Sequence, residues 1–175
     1  MLVILHDQLD LNCAMDAAIF AAALFAFWCQ CRLGELLGST KRRHDPRRYP
    51  SRASINTSTS PNGSHIIQLP RTKCSQSRGE TIIITKQSSP LDPTTALNHL
   101  TTLLPNIPDS EHLFAYSTPT SKDIICLTKE VFLKRVNEIW AKNGLNRHTG
   151  HSFRIGGTTA LLKAGVPPDV VRSMG

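Results

Sequence analysis

Residues 17–29 form an unbroken apolar run of 13 residues, A-A-I-F-A-A-A-L-F-A-F-W-C. A helix that is apolar on every side has no face to give to water, so this segment is predicted to be a buried helix around which the rest must pack. It is too short to span a bilayer, and Asp16 and Arg32 flank it closely. The N-terminus has no basic region before an apolar one, so it does not read as a signal peptide. Asp10 or Asn12 is placed to cap the helix, which the pattern carries to about Gln30. At 175 residues the chain is one domain by length and can bury a sizeable core.

The remaining pattern alternates helices with a small β unit. R-L-G-E-L-L, from Arg32, reads as a short second helix ending at Gly38. Residues 39–63 hold K-R-R, R-R, three prolines and many Ser and Thr, which predicts a mobile basic connection with one short strand near its start. Residues 65–69 and 81–85 are rich in isoleucine and read as the two strands of a β-hairpin, with polar residues between them. Asp92-Pro93 opens a helix to about Leu104, ended by Pro105 and Pro108. Residues 113–116 are a short apolar stretch. Thr128 caps a helix to Lys142, with Val131, Arg135 and Glu138 on one face and Val136, Ile139 and Trp140 on another. Further helices are expected from about His151 to Ala164 and after Pro167-Pro168. The expected class is α+β, mainly α, with a small antiparallel β-hairpin or sheet.

Charge is unevenly spread. The net charge is +7, yet residues 1–40 carry one base and four acids, whereas residues 41–90 carry ten bases and two acids. Such a basic middle third is a solvated surface, a disordered loop, or a contact for a polyanion if a site lies beside it. The five cysteines are an odd number without a C-x-x-C pair. Neither a disulfide framework nor a zinc site is indicated, and a reducing intracellular compartment fits.

Candidate chemistry lies in T-G-H-S-F-R-I-G-G, residues 149–157. His151 and Arg154 share a face at the start of a predicted helix, where the dipole favours anions. H-x-x-R alone is weak: chance gives about half a match in a chain of this composition. A second copy, His44-Asp-Pro-Arg47, lacks the helical context. Two further segments change the odds. Arg32 sits at a helix start, where a cation opposes the dipole unless an anion is nearby, and Glu35 is one turn away to hold its guanidinium. Lys73 lies in L-P-R-T-K at the tip of the hairpin. Taken singly, these read as a surface Arg–Glu pair and an exposed turn lysine; their order along the chain with H-x-x-R is what counts.

That ordered set resembles the catalytic domain of the tyrosine recombinases, the phage-integrase-like family. R-L-G-E-L-L resembles its first box, L-P-R-T-K its hairpin lysine, G-H-S-F-R-I-G-G-T-T-A its second box, and G-V-P-P-D-V-V-R-S-M-G the helix after it. The hairpin, D-P-T-T-A-L and H-L-F-A-Y look most like recombinases of fungal mobile elements. The resemblance implies an integrase-like DNA breaking-rejoining core acting on double-stranded DNA, with other recombinase subunits as partners, no membrane, no cofactor and no metal. Chemically it implies transesterification, in which a tyrosine attacks the scissile phosphate. Arg32 and Arg154 would clamp the nonbridging oxygens, Lys73 would protonate the 5′-oxygen leaving group, and His151 would assist proton transfer or hydrogen-bond the phosphate. Glu35 matches the supporting acid, and Arg71 would add a phosphate contact.

The chain departs from the family at one point. The family continues past its last helix to a His or Trp and then the nucleophilic tyrosine, whereas this chain reaches Gly175 before either. Tyr49 and Tyr116, its two tyrosines, match neither position. The resemblance therefore implies a partial catalytic domain truncated at the C-terminus, an incomplete or inactive recombinase copy. The alternative is a non-catalytic DNA-binding remnant or repurposed binding domain. The mobile-element resemblance implies a nuclear location, and K-R-R-H-D-P-R-R (residues 41–48) reads as a basic address or a DNA-facing loop.

Overall fold

In the computed structural model, which describes residues 1–56, 65–87, 90–118 and 121–174, the apolar run lies inside a helix that is buried along nearly its whole length. Helix α1 (Leu2–Gln8), which the sequence pattern did not announce, precedes α2 (Ala14–Trp28). From Ala18 to Ala26 no side chain of α2 is more than 3% exposed. Burial of Ile19, Phe20, Leu24 and Phe25 is worth roughly 1.5–3 kcal/mol each. Tertiary packing rather than intrinsic propensity therefore holds this helix.

The N-terminus of α2 differs from expectation. Cys13 is the N-cap and makes no side-chain capping bond. Asp10 instead accepts from the Asn12 N–H at 3.0 Å, in a turn before the helix. Asp16, in the first helical turn, takes the Asp10 N–H at 3.1 Å and a two-pronged pair from Arg135 at 2.9 and 2.6 Å. At its other end α2 stops at Trp28, short of the expected Gln30, because Gln30 adopts a left-handed backbone (φ 51°).

Short helix α3 (Leu33–Leu36) follows. Strands β2 (His65–Leu69) and β3 (Glu80–Ile84) pair antiparallel with Ile67 opposite Ile82, forming the expected hairpin one residue out of its expected second strand. Strand β1 (Ile55–Asn56) adds to β2, giving sheet order β1-β2-β3. A second antiparallel pair, β4 (Tyr116–Thr118) and β5 (Ser121–Ile125), replaces what read only as a short apolar stretch. Helix α4 (Pro93–Leu103) is capped by Asp92, which accepts the Thr95 N–H at 2.6 Å. Helix α5 (Lys129–Lys142) is capped by Thr128 and buries Phe132, Val136, Ile139 and Trp140. Helices α6 (Gly150–Lys163) and α7 (Pro168–Ser173) complete an α+β fold that is mainly α.

The basic connection is more built than its composition suggested, across its described part, residues 39–56. Lys41 O accepts from Cys126 N at 2.9 Å, Ser51 bridges to His112, and Arg52 N donates to Glu111 O at 2.9 Å. A 3-10 turn, Arg52–Ser54, leads into β1, so the short strand falls late in the segment rather than near its start. Arg52 is buried and donates to the carbonyls of Leu104, Ile107 and Ala115, bonds that composition cannot reveal. Residues 57–63 of the connection lie outside the described residues. Among the described residues no helix is long and apolar enough to cross a membrane.

Candidate functional site

Glu35 organises the first half of the site. Its carboxylate is buried and accepts three bonds: the Arg32 backbone N–H at 3.3 Å, the Arg32 Nη1 at 3.2 Å and the Lys73 backbone N–H at 2.9 Å. One carboxylate thus orients a guanidinium and pins the hairpin loop beside it. Arg32 is left 39% exposed at its side chain, with most of its donors unspent among the described residues.

The hairpin loop is shaped by its own polar residues. Thr72 is buried; its hydroxyl donates to Glu80 at 2.8 Å and accepts the Ser75 N–H at 3.0 Å. Gly79 has φ +66°, and a Cβ there would lie 2.0 Å from Leu69 O, so the loop closes only with glycine. These contacts turn Arg71 and Lys73 outward, both exposed, with Arg71 donating to Gln76 at 3.1 Å.

Close approach of helices supplies the second half. A Cβ on Gly157 would fall 1.9 Å from Phe27 O, and one on Gly150 would fall 2.7 Å from Leu33 Cδ1. The glycines around H-S-F-R therefore let α6 lie directly on the end of α2 and the start of α3. That contact carries His151 and Arg154 to the same place as Arg32. His151 is exposed, and Arg154 is partly buried without a hydrogen bond or ion pair to the described residues.

Three clefts meet at Arg32. The first, about 310 Å³, is lined by Arg32, Gly34, Lys129, His151 and Arg154, with no carboxylate. The second, also about 310 Å³, is lined by Arg32, Gly34, Glu35, Arg48, Tyr49, Arg71 and Lys73. The third, about 390 Å³, joins Arg32 and Arg154 to Gln30, Cys31, Glu80 and Arg172. All five predicted site residues and Arg71 thus border three neighbouring clefts that share Arg32. The clefts together hold seven Lys and Arg against Glu35 and Glu80, so much of the +7 net charge converges here.

Sequence reasoning missed several of these residues. Lys129 carried no motif of its own, and Arg48 and Arg172, though inside K-R-R-H-D-P-R-R and G-V-P-P-D-V-V-R-S-M-G, were given no individual role; the fold brings all three to these clefts. Gln30 also went unread. Its buried amide accepts from the Thr158 hydroxyl at 2.8 Å and donates to Val171 O at 3.3 Å, tying α6 and α7 to the turn before Arg32. Its left-handed backbone had no glycine to announce it.

The other nucleophile candidates are quiet. Burial, then the neighbouring Cys29 and Glu35, pushes the Cys31 thiol well up, and burial pushes Cys29 up to about 12. Both are neutral thiols at pH 7. Tyr116 is 5% exposed in β4, and burial raises its phenol. Tyr49 is 9% exposed on the second cleft, its ring 5.8 Å from the Arg48 guanidinium. Among the described residues no group of three or more His, Cys, Asp or Glu is placed to hold a metal ion. Two guanidiniums beside an imidazole and a lysine can bind the oxygens of a phosphate diester by charge-assisted hydrogen bonds.

Comparison of the chain with models of known protein families and with curated proteins gave no match.

Proposed function

We propose that this chain grips the phosphate backbone of double-stranded DNA in the depression around Arg32, as the phosphate clamp of a tyrosine-recombinase-like, integrase-like strand-transfer site. The observation that carries the reading is the convergence of Arg32, Lys73, His151 and Arg154, from three separate segments, on clefts with almost no opposing carboxylate. A random scatter of surface cations would not be cross-braced by one buried acid, as Glu35 braces Arg32 and the Lys73 loop.

In this proposal Arg32 and Arg154 hold the nonbridging oxygens, where negative charge grows during transfer. Lys73 donates the proton to the leaving 5′-oxygen, and His151 bonds the phosphate or assists proton transfer at the attacking oxygen. Glu35 keeps Arg32 aimed. The burial of both tyrosines favours a second reading for the chain acting alone, namely DNA binding without covalent cleavage.

Both readings share a first test. Binding of a labelled duplex, followed by fluorescence anisotropy, is expected to weaken steeply between 50 and 200 mM salt on the order expected for several phosphate contacts, and Arg32→Ala is expected to weaken it further. Incubation with a nicked suicide duplex is expected to leave no covalent adduct. Salt-insensitive binding, or binding unchanged in Arg32→Ala, contradicts the clamp; an adduct mapped to Tyr49 or Tyr116 contradicts the second reading.

A further inference from the structure

The depression has a shape that the clamp alone does not require. Arg32 and Gly34 line both the first and the second cleft and so mark the boundary the two share. A Cβ on Gly34 would meet nothing within 4 Å, so the saddle between the clefts is bare. Beyond the saddle each cleft has a cation outside the clamp: Lys129 in the first and Arg48 in the second.

Both outer cations stand on fixed supports. Lys129 opens α5, whose cap Thr128 accepts the Val131 N–H at 3.3 Å and bridges to Gly38, while Gly38 N donates to Leu127 O at 3.0 Å. The start of α5 is thereby tied to the chain leaving α3. Arg48 lies in a turn closed by its own N–H on Asp45 O at 3.0 Å, and its guanidinium sits over the Tyr49 ring. Neither Lys129 nor Arg48 has a carboxylate partner among the described residues, and both are exposed.

We infer that the site takes one nucleic-acid strand lengthwise, its successive phosphates running from Lys129 in the first cleft, across the Gly34 saddle at Arg32, to Arg48 in the second. The inference rests on the phosphate-clamp reading and extends it from one phosphate to a path. A single anion would be satisfied by Arg32 and its nearest partners and would leave two cationic clefts open. A repeating polyanion fills both, and a backbone can lie close to the floor only where no side chain rises from it.

The test uses the whole chain and a labelled duplex, with affinity measured across a salt series. Lys129→Gln and Arg48→Gln are each expected to reduce the magnitude of the salt slope by about one, and the double variant by about two. Lys142→Gln, at the far end of the same helix as Lys129, is expected to leave the slope unchanged. Gly34→Leu, which fills the saddle in open space, is expected to keep the melting temperature and lose about tenfold or more in affinity, the scale of one lost charge-assisted phosphate contact. Loss of binding in Arg32→Ala with unchanged slopes in Lys129→Gln and Arg48→Gln, or full affinity in Gly34→Leu, overturns the path and leaves the clamp standing. Absence of duplex binding by the unsubstituted chain overturns both. Displacement of the duplex by inorganic tripolyphosphate at equal phosphate concentration overturns the strand as ligand in favour of a free polyphosphate.

Discussion

His-x-x-Arg occurs twice in this chain, and the two copies end in opposite surroundings. His44 turns inward: its Nε2 lies 2.7 Å from the Ser51 hydroxyl, and its ring meets His112 edge-on at 5.4 Å. Arg47 points away into solvent from a turn set by Asp45, whose carboxylate accepts the Arg47 N–H at 3.1 Å. His151 and Arg154 instead begin a 14-residue helix, share one cleft, and meet Arg32 there. The spacing is the same; the backbone beneath it differs. A turn sends the two side chains to different environments, whereas a helix start points them together. The flanking glycines, as much as the His and Arg, are what bring the second copy to Arg32.

Removing the close approach of α6 to α2 is expected to have the largest effect. Gly157→Ala would place a Cβ 1.9 Å from Phe27 O, so α6 must move away from α2. Alanine is otherwise favoured over glycine inside a helix by about 1 kcal/mol, so a net loss points to the contact. The expected loss is about 3 kcal/mol, a melting temperature lower by roughly 6–12 °C for a chain of this size. Pro46→Ala, inside the first copy, is expected to shift melting far less. Equal melting temperatures for Gly157→Ala and the unsubstituted chain would show that the approach does not position α6.

Acid should separate the copies next. Burial, and then the neighbouring His44, pushes His112 down to about 3, and its Nδ1 accepts the Phe114 N–H at 3.1 Å, a bond that requires that nitrogen unprotonated. Burial likewise lowers His44. With folded values depressed, the unfolded chain binds protons below about pH 6.5 that the folded chain refuses. Stability is therefore full above that pH and falls as pH drops toward about 3. Between pH 6.5 and 4.5 His112 alone is expected to cost about 2 kcal/mol, measured by denaturant unfolding. His112→Gln keeps an acceptor for Phe114 and should flatten the dependence; an unchanged slope would remove the histidine pair as its cause.

A parallel contrast separates two arginine–carboxylate pairs of the described residues. Arg135 spends two donors on Asp16, which is buried, and joins α5 to α2. Arg32 spends one side-chain donor on Glu35 and keeps the rest for solvent or a ligand. The first pair reads as architecture and the second as a guanidinium held ready, although both are Arg–carboxylate contacts.

Much of the fold was legible because it rests on local signals. The apolar run, the Asp92 and Thr128 caps and the Ile-rich hairpin each encode their element within a few residues. Helix α1 and strand β5 were missed because their short sequences gain order from neighbours far along the chain. The cap of α2 was misplaced because the Asp10 carboxylate is spent on the Asn12 N–H in a turn before the helix, which leaves Cys13 at the cap position. The grouping of Arg32, Glu35, Lys73, His151 and Arg154 was suggested by their order along the chain, whereas the places of Lys129 and Gln30, and the individual places of Arg48 and Arg172, depended on three-dimensional proximity. A left-handed glutamine with both ends of its amide bonded has no signature in one sequence.

In the proposed reading the helical His-x-x-Arg copy, together with Arg32, forms an anion clamp and the turn copy does not. Fluorescence anisotropy of one labelled duplex at fixed salt tests it most directly, with Arg154→Ala and Arg47→Ala compared side by side. Arg154→Ala is expected to weaken binding about tenfold or more, the loss of a charge-assisted phosphate contact, and Arg47→Ala to change it by less than about threefold. Equal losses in the two variants, or no loss in Arg154→Ala, would contradict the clamp.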